Sequence, residues 1–288
     1  MASAPTGTRA VLITGAGKGI GEATAWHLAN RGFRVYAGVR SADDARRLGA
    51  RSDGAVTALR LDVTDPASIH AAVASVATER PFQFLGLVNN SAISTPCPLE
   101  LLPGEALREL FEVNVFGAMA LTRALLPELR RAENARIVNV SSINGRIAQP
   151  FIGGYSATKF ALEAISDALR RELRPWGIGV IVVQPGAVAT PIFDTARQRG
   201  RDLAVRLPEV DRQLYPGVMQ ALLDRPGKPP RHAIPPTDVA RVIARALRRR
   251  RPRTRYLVGR DARLGALLAA ILPDRLLDRL LANRMTAS

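Results

Sequence analysis

A short apolar run that leads directly into a glycine-rich turn is the feature that most constrains the fold of this chain. Residues 10–13 form the run, and Thr14-Gly-Ala-Gly-Lys-Gly-Ile-Gly21 follows it at the start of an amphipathic segment at 20–31. Such a run is typical of a parallel strand covered on both faces. Glycines allow a tight turn and bring the backbone close to a pyrophosphate at a helix N-terminus. The segment therefore predicts a strand, turn and helix that bind a dinucleotide, although a glycine-rich turn alone is also compatible with a surface loop.

The rest of the chain alternates between strand and helix patterns. We predict strands at 10–14, 34–39, 56–61, 84–88, 136–140, 179–183 and 255–258. We predict helices at about 20–31, 43–49, 66–79, 105–130, 154–174 and 237–249. Asp65 is expected to cap the third of these helices, with Pro66 in its first turn. The expected fold class is therefore α/β, a Rossmann-like doubly wound parallel sheet of about seven strands flanked by helices.

We expect one Rossmann-type catalytic domain at 1–263 and a C-terminal amphipathic helical extension at 264–288. Within the domain, a substrate lid is expected at about 191–235, where turn-forming residues alternate with apolar ones. The apolar residues of the lid suit either the wall of a cleft or the core of a helical lid. The extension suits packing over a pocket or against a subunit, and it is also compatible with peripheral membrane contact.

The spacing of Ser142, Tyr155 and Lys159 indicates a site for proton transfer. Tyr155 and Lys159 lie four residues apart on one helix face, so the ammonium can lie near the phenol. We expect this charge to lower the tyrosine pKa from about 10, which would let the phenol exchange a proton with a carbonyl or alcohol oxygen. Ser142 can hydrogen-bond the same oxygen, whereas Ser141 would face the other side of the sheet. Taken alone, the tyrosine–lysine pair is a weak indication, because most such pairs lie on a solvated helix face.

Further motifs are spread over residues 8–195. They are Thr14-Gly-x-x-x-Gly-Ile-Gly21, Leu61-Asp62-Val63, Asn89-Asn90-Ser91-Ala92, Asn114, Ser142, Tyr155-x-x-x-Lys159 and Pro185-Gly186. In this order and at these spacings they resemble the short-chain dehydrogenase/reductase family, in its single-domain type. Where the family usually reads Asn-Asn-Ala-Gly, this chain has Ser91 and Ala92, so no role that needs glycine is expected there. The arginine-rich tail with Arg255-Tyr-Leu-Val-Gly259 is similar to the retinol and hydroxysteroid dehydrogenase branch.

The resemblance implies an oxidoreductase that interconverts a carbonyl group and an alcohol. The implied catalytic residues are Asn114, Ser142, Tyr155 and Lys159, and the carbonyl of Asn114 holds a water that links to Lys159. No metal is expected. The implied cofactor contacts are Gly15, Gly17, Lys18, Gly19, Ile20, Gly21, Arg40, Asp62, Val63, Asn89, Ser91, Tyr155, Lys159, Pro185, Gly186, Val188 and Thr190. By the same resemblance, helices 105–130 and 154–174 are expected to form a homodimer or homotetramer.

The cofactor is expected to be NADP(H). An NAD site usually has an acid at the end of the second strand, where it binds the ribose 2′-hydroxyl. Here that strand ends at Arg40, and Lys18 lies inside the glycine turn. A guanidinium fork is well suited to a 2′-phosphate. The two residues are also compatible with ordinary surface cations.

Composition indicates which cellular compartment and which classes of partner are expected. The chain has 288 residues, a net charge of +16 and one cysteine, Cys97. The single cysteine and the short polar N-terminus without a signal core favour a cytoplasmic protein. Arginines cluster at 248–251, but no aromatic platform or nucleic-acid-binding motif accompanies them, so no nucleic-acid partner is expected.

The substrate is expected to be a small apolar ketone, aldehyde or alcohol, of steroid, retinoid or lipid type. This interpretation is favoured by the apolar residues of the lid and by those between Ser142 and Tyr155. The latter include Ile143, Ile147 and Phe151. Two other classes remain open. One is a non-catalytic NADP(H)-binding regulator on the same fold, and the other is a nucleotide-sugar epimerase or dehydratase.

Overall fold

A seven-stranded parallel sheet forms the centre of the protein, in a computed structural model that describes residues 8–50, 54–78, 80–224 and 227–286. The strand order is β3-β2-β1-β4-β5-β6-β7. The strands are β1 (Thr8–Ile13), β2 (Arg34–Val39), β3 (Val56–Arg60), β4 (Phe82–Asn89), β5 (Ala135–Val140), β6 (Gly179–Pro185) and β7 (Arg255–Val258). The winding reverses between β1 and β4, and a crevice at the carboxyl ends of such strands is the usual ligand site of an open α/β sheet.

Helices cover both faces of the sheet. They are α1 (Gly19–Ala29), α2 (Ala42–Ala50), α3 (Pro66–Ala77), α4 (Gly104–Phe111), α5 (Gly117–Arg131), α6 (Gly153–Glu172), α7 (Ile192–Arg206), α8 (Glu209–Leu214), α9 (Pro216–Asp224), α10 (Pro236–Arg248), α11 (Arg260–Ile271) and α12 (Asp274–Thr286). Successive residues of β1 point to opposite faces. Val11 packs with Leu28 of α1 and Ile243 of α10, whereas Leu12 packs with Leu125 of α5 and residues of α3 and α6. Both faces of the sheet are therefore buried, as the apolar run predicts.

The predicted fold class is confirmed, and each predicted strand or sheet-covering helix ends within about two residues of the observed one. The Asp65 cap is also present, since its carboxylate accepts a hydrogen bond from the Ala67 backbone N–H at 3.0 Å. The long helix predicted at 105–130 differs in one respect: a π-helical turn, Glu112–Phe116, separates α4 from α5. Such turns are often found at functional sites.

The lid segment is helical rather than irregular. Helices α7, α8 and α9 fill most of it, and Ala204, Met219 and Leu222 pack together as its small core. Prolines stand where these helices begin: Pro191 precedes α7, and Pro208 precedes α8. Proline is tolerated at a helix start because no intrahelical bond from its nitrogen is needed there. The many turn-forming residues of the segment therefore mark helix boundaries.

The C-terminal segment packs against the residues that follow β5. Ala262 and Ala266 of α11 are buried against Ile143 and Ile147, which lie just after β5. The expected domain boundary at 263 falls inside α11, which begins at Arg260. The start of the extension is therefore continuous with the sheet domain.

One helical stretch in the described part of the chain, Gly104–Arg131, has the length and apolar composition of a membrane span. Nearly half of its most apolar window is buried inside the protein. Leu121 and Leu125 lie in the core beneath the sheet, as expected of an internal helix.

Candidate active site

The glycine turn after β1 is fixed to the loop after β4. Gly15 and Gly19 have positive φ values of 61° and 60°, which side chains rarely adopt. The Thr14 hydroxyl accepts hydrogen bonds from the backbone N–H groups of Asn90 and Ser91, each at 2.9 Å. The turn is therefore held open between the two strands where the winding reverses.

Both predicted 2′-phosphate ligands lie at this end of the site. Lys18 and Arg40 are exposed and line the same cavity as Gly15, Gly17 and Gly19. The cavity has a volume of about 1680 Å³. The arrangement fits a phosphorylated ribose, because two cations flank the region where the glycine turn ends and β2 stops.

A charged network beneath the turn was not predicted from the sequence. Arg47 of α2 donates to the carbonyl oxygen of Gly17 and to the Glu22 carboxylate, and it forms an ion pair with Asp44 at 3.2 Å. Asp44 lines the cavity close to Gly17. Its negative charge, which would oppose a nearby phosphate, is therefore paired with Arg47.

Asp62 and Val63, at the end of β3, also line the cavity. The Asp62 carboxylate accepts hydrogen bonds from the Thr64 backbone N–H at 2.9 Å and from its hydroxyl at 2.7 Å. Burial raises the pKa of Asp62, but the two Thr64 bonds and the charge of Arg40 together outweigh burial and lower it. Asp62 is therefore a carboxylate at neutral pH, which suits an acceptor for an amino group.

Ser142, Tyr155 and Lys159 converge on the cavity from β5 and α6. Ser142 begins a short 3₁₀ turn, where its hydroxyl accepts a hydrogen bond from the Asn144 backbone N–H at 3.1 Å. The same hydroxyl lies close enough to the phenol of Tyr155 to lower the pKa of that phenol. Lys159 is buried, and its ammonium donates to the Val140 carbonyl at 2.9 Å. The neighbouring Ser141 is buried beside Gly145. The hydroxyl facing Tyr155 is therefore that of Ser142.

The expectation of a lowered tyrosine pKa is wrong for this structure. Burial raises the pKa of Tyr155 to about 12, and the hydrogen bond with Ser142 only partly opposes the shift. The Lys159 ammonium lies 5.6 Å from the centre of the Tyr155 ring, where its bond to Val140 holds it. Burial also lowers the pKa of Lys159 to about 8, with the charge of Glu163 opposing this shift. Tyr155 is therefore protonated at neutral pH and ready to act as an acid.

Three of the predicted site residues lie behind the cavity wall. Asn89 is buried, and its amide donates to Asn139 at 2.8 Å and to Thr122 at 3.0 Å. Asn114 lies in the π-helical turn, where its side chain exchanges hydrogen bonds with the backbone of Ile93 and donates to Thr158. Gly21 packs so closely on Gly15 that a Cβ atom would overlap its carbonyl oxygen. The two asparagine side chains and the close backbone contact at Gly21 therefore support the cavity wall.

The loop after β6 closes the cavity beside Tyr155. Pro185, Gly186, Val188 and Thr190 all line it, as predicted. Val188 forms a parallel bridge with Ile234, which returns from the lid. On its other side the loop contacts Asp261 of α11, whose carboxylate accepts a hydrogen bond from the Ala187 N–H at 2.6 Å. This contact was not predicted, because the two residues are far apart in sequence and the donor is a backbone group.

The far end of the cavity is mainly apolar, with polar groups at its rim. The apolar lining comes from the segment after Ser142, from the lid and from α11 and α12, and it includes Ile143, Ile147, Ile152, Ile192, Phe193, Leu222, Leu264, Leu268, Leu277 and Leu281. Lys228, His232 and Arg260 are exposed and also line the cavity, which sequence reasoning did not anticipate. In the described residues, no group of three or more histidine, cysteine or acidic side chains is arranged to hold a metal.

The comparisons with known proteins agree with this geometry. The 3-amino-tetrahydro-pyrrolizinone reductase of Xenorhabdus hominickii is 36% identical over 258 residues, which cover 88% of each chain. Human retinol dehydrogenase 5 is 34% identical over 291 residues, 97% of this chain and 89% of the relative. A short chain dehydrogenase of Burkholderia cenocepacia, solved with NADP, is 27% identical with a TM-score of 0.71, covering 97% of this chain and 98% of the other. Another matching structure contains NAD.

The family model that matches is described as short chain dehydrogenase and covers residues 9–200. It spans the glycine turn, Ser142, Tyr155, Lys159 and the loop after β6. The chain is an oxidoreductase of the short-chain dehydrogenase family that acts on alcohol or carbonyl groups.

Proposed function

We propose that this protein uses NADP(H) to interconvert an apolar ketone or aldehyde and the corresponding alcohol. The observation that carries the proposal is one cavity along the carboxyl edge of the sheet: Lys18 and Arg40 line it after β1 and β2, and apolar residues line it after β5 and β7. Ser142, Tyr155 and Lys159 line the same cavity, with Ser142 just after β5. A bound nicotinamide cofactor supplies the hydride for reduction or takes it up in oxidation.

The residues of the chain then handle the carbonyl oxygen. Ser142 and Tyr155 hydrogen-bond this oxygen and fix its position, and Tyr155 donates its proton as negative charge develops there. The pKa of Tyr155, raised to about 12 by burial, keeps that proton in place until charge develops. The buried Lys159 ammonium stabilises the phenolate that remains, and it binds the ribose hydroxyls of the cofactor. In the reverse direction, the phenolate accepts the proton of the alcohol.

The pH dependence of reduction is expected to report the charge of Lys159. Its pKa of about 8 means that the ammonium is present below pH 7 and is lost as the pH rises above 8. The pH profile of kcat/KM for carbonyl reduction should therefore be level at pH 6–7 and fall about tenfold per unit at higher pH. Arginine stays charged over this pH range, so the fall of kcat/KM above pH 8 should be absent in Lys159→Arg. If kcat/KM of Lys159→Arg still fell near pH 8, the fall would report the titration of another group.

An apolar substrate is tested by a homologous series of methyl ketones with NADPH, followed at 340 nm. Each added methylene should raise kcat/KM about fourfold until the wall is covered, because burying one is worth about 0.8 kcal/mol. Ile147→Ala, on the wall, should reduce this gain. Val205→Ala, on an exposed face of the lid, is the control that should leave it unchanged. If kcat/KM did not change with the chain length of the ketone, the proposal of an apolar substrate would be refuted.

The alternatives make different predictions in the same assay. A regulator would bind NADPH with no turnover of any carbonyl or alcohol in the panel, whereas an epimerase or dehydratase would act on nucleotide sugars without net cofactor consumption. The presence of Ser142, Tyr155 and Lys159 in one cavity supports a reductase over a regulator.

We also propose self-association through the helices α5 and α6. Phe116, just before α5, and Phe160 on α6 are exposed aromatic residues, as expected of a face covered by a second copy. Sedimentation velocity of Phe160→Asp should show a smaller species than the parent protein.

We propose that the protein is cytoplasmic and contacts an anionic membrane at its periphery. The exposed Leu267 and Ile271 of α11 would make this contact. Co-sedimentation with phosphatidylserine vesicles tests it.

A further inference from the structure

The first turn of α11 touches the loop that follows β6. Asp261 lies in this turn, and its carboxylate accepts a hydrogen bond from the Ala187 N–H at 2.6 Å. The carboxylate also lies against two glycines: a Cβ atom on Gly186 or on Gly259 would overlap it. Gly259 has a φ of 107°, which favours glycine. The backbone on both sides is therefore shaped to admit this side chain.

The loop has a second support on its opposite side. The Ile234 N–H donates to the Ala187 carbonyl at 3.0 Å, and the Ala189 N–H donates to the Ile234 carbonyl at 2.9 Å. Gly186 continues the sheet with a bond to the Val258 carbonyl at 2.9 Å. The N–H of Ala187 is bonded instead by a side chain, the carboxylate of Asp261. Removal of Asp261 would leave this donor without its acceptor in a loop that lines the same cavity as Tyr155.

We propose that Asp261 is a positioning residue that holds the loop at 185–190 in the conformation that receives the nicotinamide end of the cofactor. The proposal rests on the proposed function, which assigns this loop to the nicotinamide. It extends that function to a helix outside the match to the family model, which ends at residue 200. The same helix buries Ala262 and Ala266 against Ile143 and Ile147. Thus one rigid element supports both the cofactor loop and the apolar wall.

A simpler role for Asp261 would be stabilisation of the N-terminus of α11, where an acid is favourable. The two roles differ in what a substitution affects. Loss of helix stability would weaken every property of the protein together. Loss of the loop would weaken contacts of the nicotinamide end and leave those of the adenosine end, near Arg40 and Asp62, unchanged.

The experiment compares two ligands on the full-length protein, by calorimetry without substrate. NADPH carries the nicotinamide, and adenosine 2′,5′-bisphosphate lacks it. For Asp261→Ala we expect NADPH affinity to fall about tenfold and affinity for the bisphosphate to stay within about twofold. Asp261→Asn retains an oxygen that can accept the Ala187 N–H, and it should bind NADPH like the parent. Asp274→Ala removes an exposed first-turn acid of α12 and is the matched control.

A second readout tests the hydride-transfer geometry. With NADPH deuterated at the transferred position, Asp261→Ala should show a larger isotope effect on kcat than the parent, because misplacement slows the hydride step. Equal losses for NADPH and the bisphosphate, or no loss for either, would overturn the proposal. If Asp261→Ala does not fold, Asp261→Ser, whose side chain is one atom shorter, takes its place under the same criteria.

Failure of the proposed function has a distinct outcome. If the parent protein prefers NADH, the assignment of Arg40 fails, while NADH and ADP in place of the two ligands still test Asp261. If the parent binds neither cofactor, both proposals fail.

Discussion

Tyr155→Phe is expected to lower kcat/KM for carbonyl reduction by about 10²- to 10⁴-fold while NADPH affinity changes by less than about twofold. The substitution removes the proton that Tyr155 donates and keeps the ring, which lies 5.6 Å from the Lys159 ammonium. Steady-state kinetics at 340 nm and a cofactor titration by fluorescence measure the two quantities. The split is expected because, on the proposed function, the phenol acts on the carbonyl oxygen and its removal leaves the glycine turn, Lys18 and Arg40 unchanged.

Tyr215→Phe is a matched control for this experiment. Tyr215 lies at the junction of α8 and α9 in the lid, where its phenol donates to Glu100 and its ring packs edge-on against Phe151 at 6.0 Å. The same atom is removed from a tyrosine outside the residues that line the cavity, and activity should stay close to that of the parent. Retention of more than about a tenth of the activity in Tyr155→Phe would show that another group supplies the proton.

Arg40→Asp is expected to reverse the preference between the two nicotinamide cofactors. A guanidinium bonded to a phosphate contributes roughly 1.5–3 kcal/mol, so its loss should weaken NADPH by about 10- to 100-fold. The new carboxylate repels a 2′-phosphate further and can accept a ribose 2′-hydroxyl, so NADH should bind more tightly. Dissociation constants for both cofactors, measured by calorimetry, give the preference directly.

The neighbouring helix provides a control with the same change of charge. Arg46 of α2 is exposed and pairs with Asp43, and it is not among the residues that line the cavity. Arg46→Asp should leave the ratio of the two affinities within about threefold of the parent. If Arg40→Asp also left that ratio unchanged, the assignment of Arg40 to the 2′-phosphate would be wrong, and Lys18 would be the next residue to test.

The sheet could be predicted from the sequence because its signals are local. Residues 10–13 read as a strand buried on both faces, and Val11 and Leu12 do pack into opposite cores. The glycine turn and the Asp65 cap follow rules that involve only neighbouring residues. The same is true of Tyr155 and Lys159, whose spacing on one helix places them on one face.

The parts that could not be predicted depend on distant segments or on burial. Arg47 donates to the Gly17 carbonyl, and Asp261 accepts a hydrogen bond from the Ala187 N–H. Both partners are backbone groups, which every residue type has, so the sequence does not indicate these contacts. The spacing of Tyr155 and Lys159 predicts a lowered pKa for Tyr155, whereas burial raises it. Helical spacing gives no information on how far a side chain is removed from water. The turn-forming residues of the lid do not by themselves predict its helices, since a proline can interrupt a helix or begin one.

The bridge between Val188 and Ile234 has a consequence for how this chain could diversify. The lid leaves the sheet domain and returns to it at two adjacent points of backbone, so it forms a closed excursion with fixed ends. An exchange of the segment between these ends for that of a relative would leave the strand order, the glycine turn and the proton donor unaltered. On the proposed function, such an exchange would change which molecules the cavity accepts and leave the groups that act on them in place.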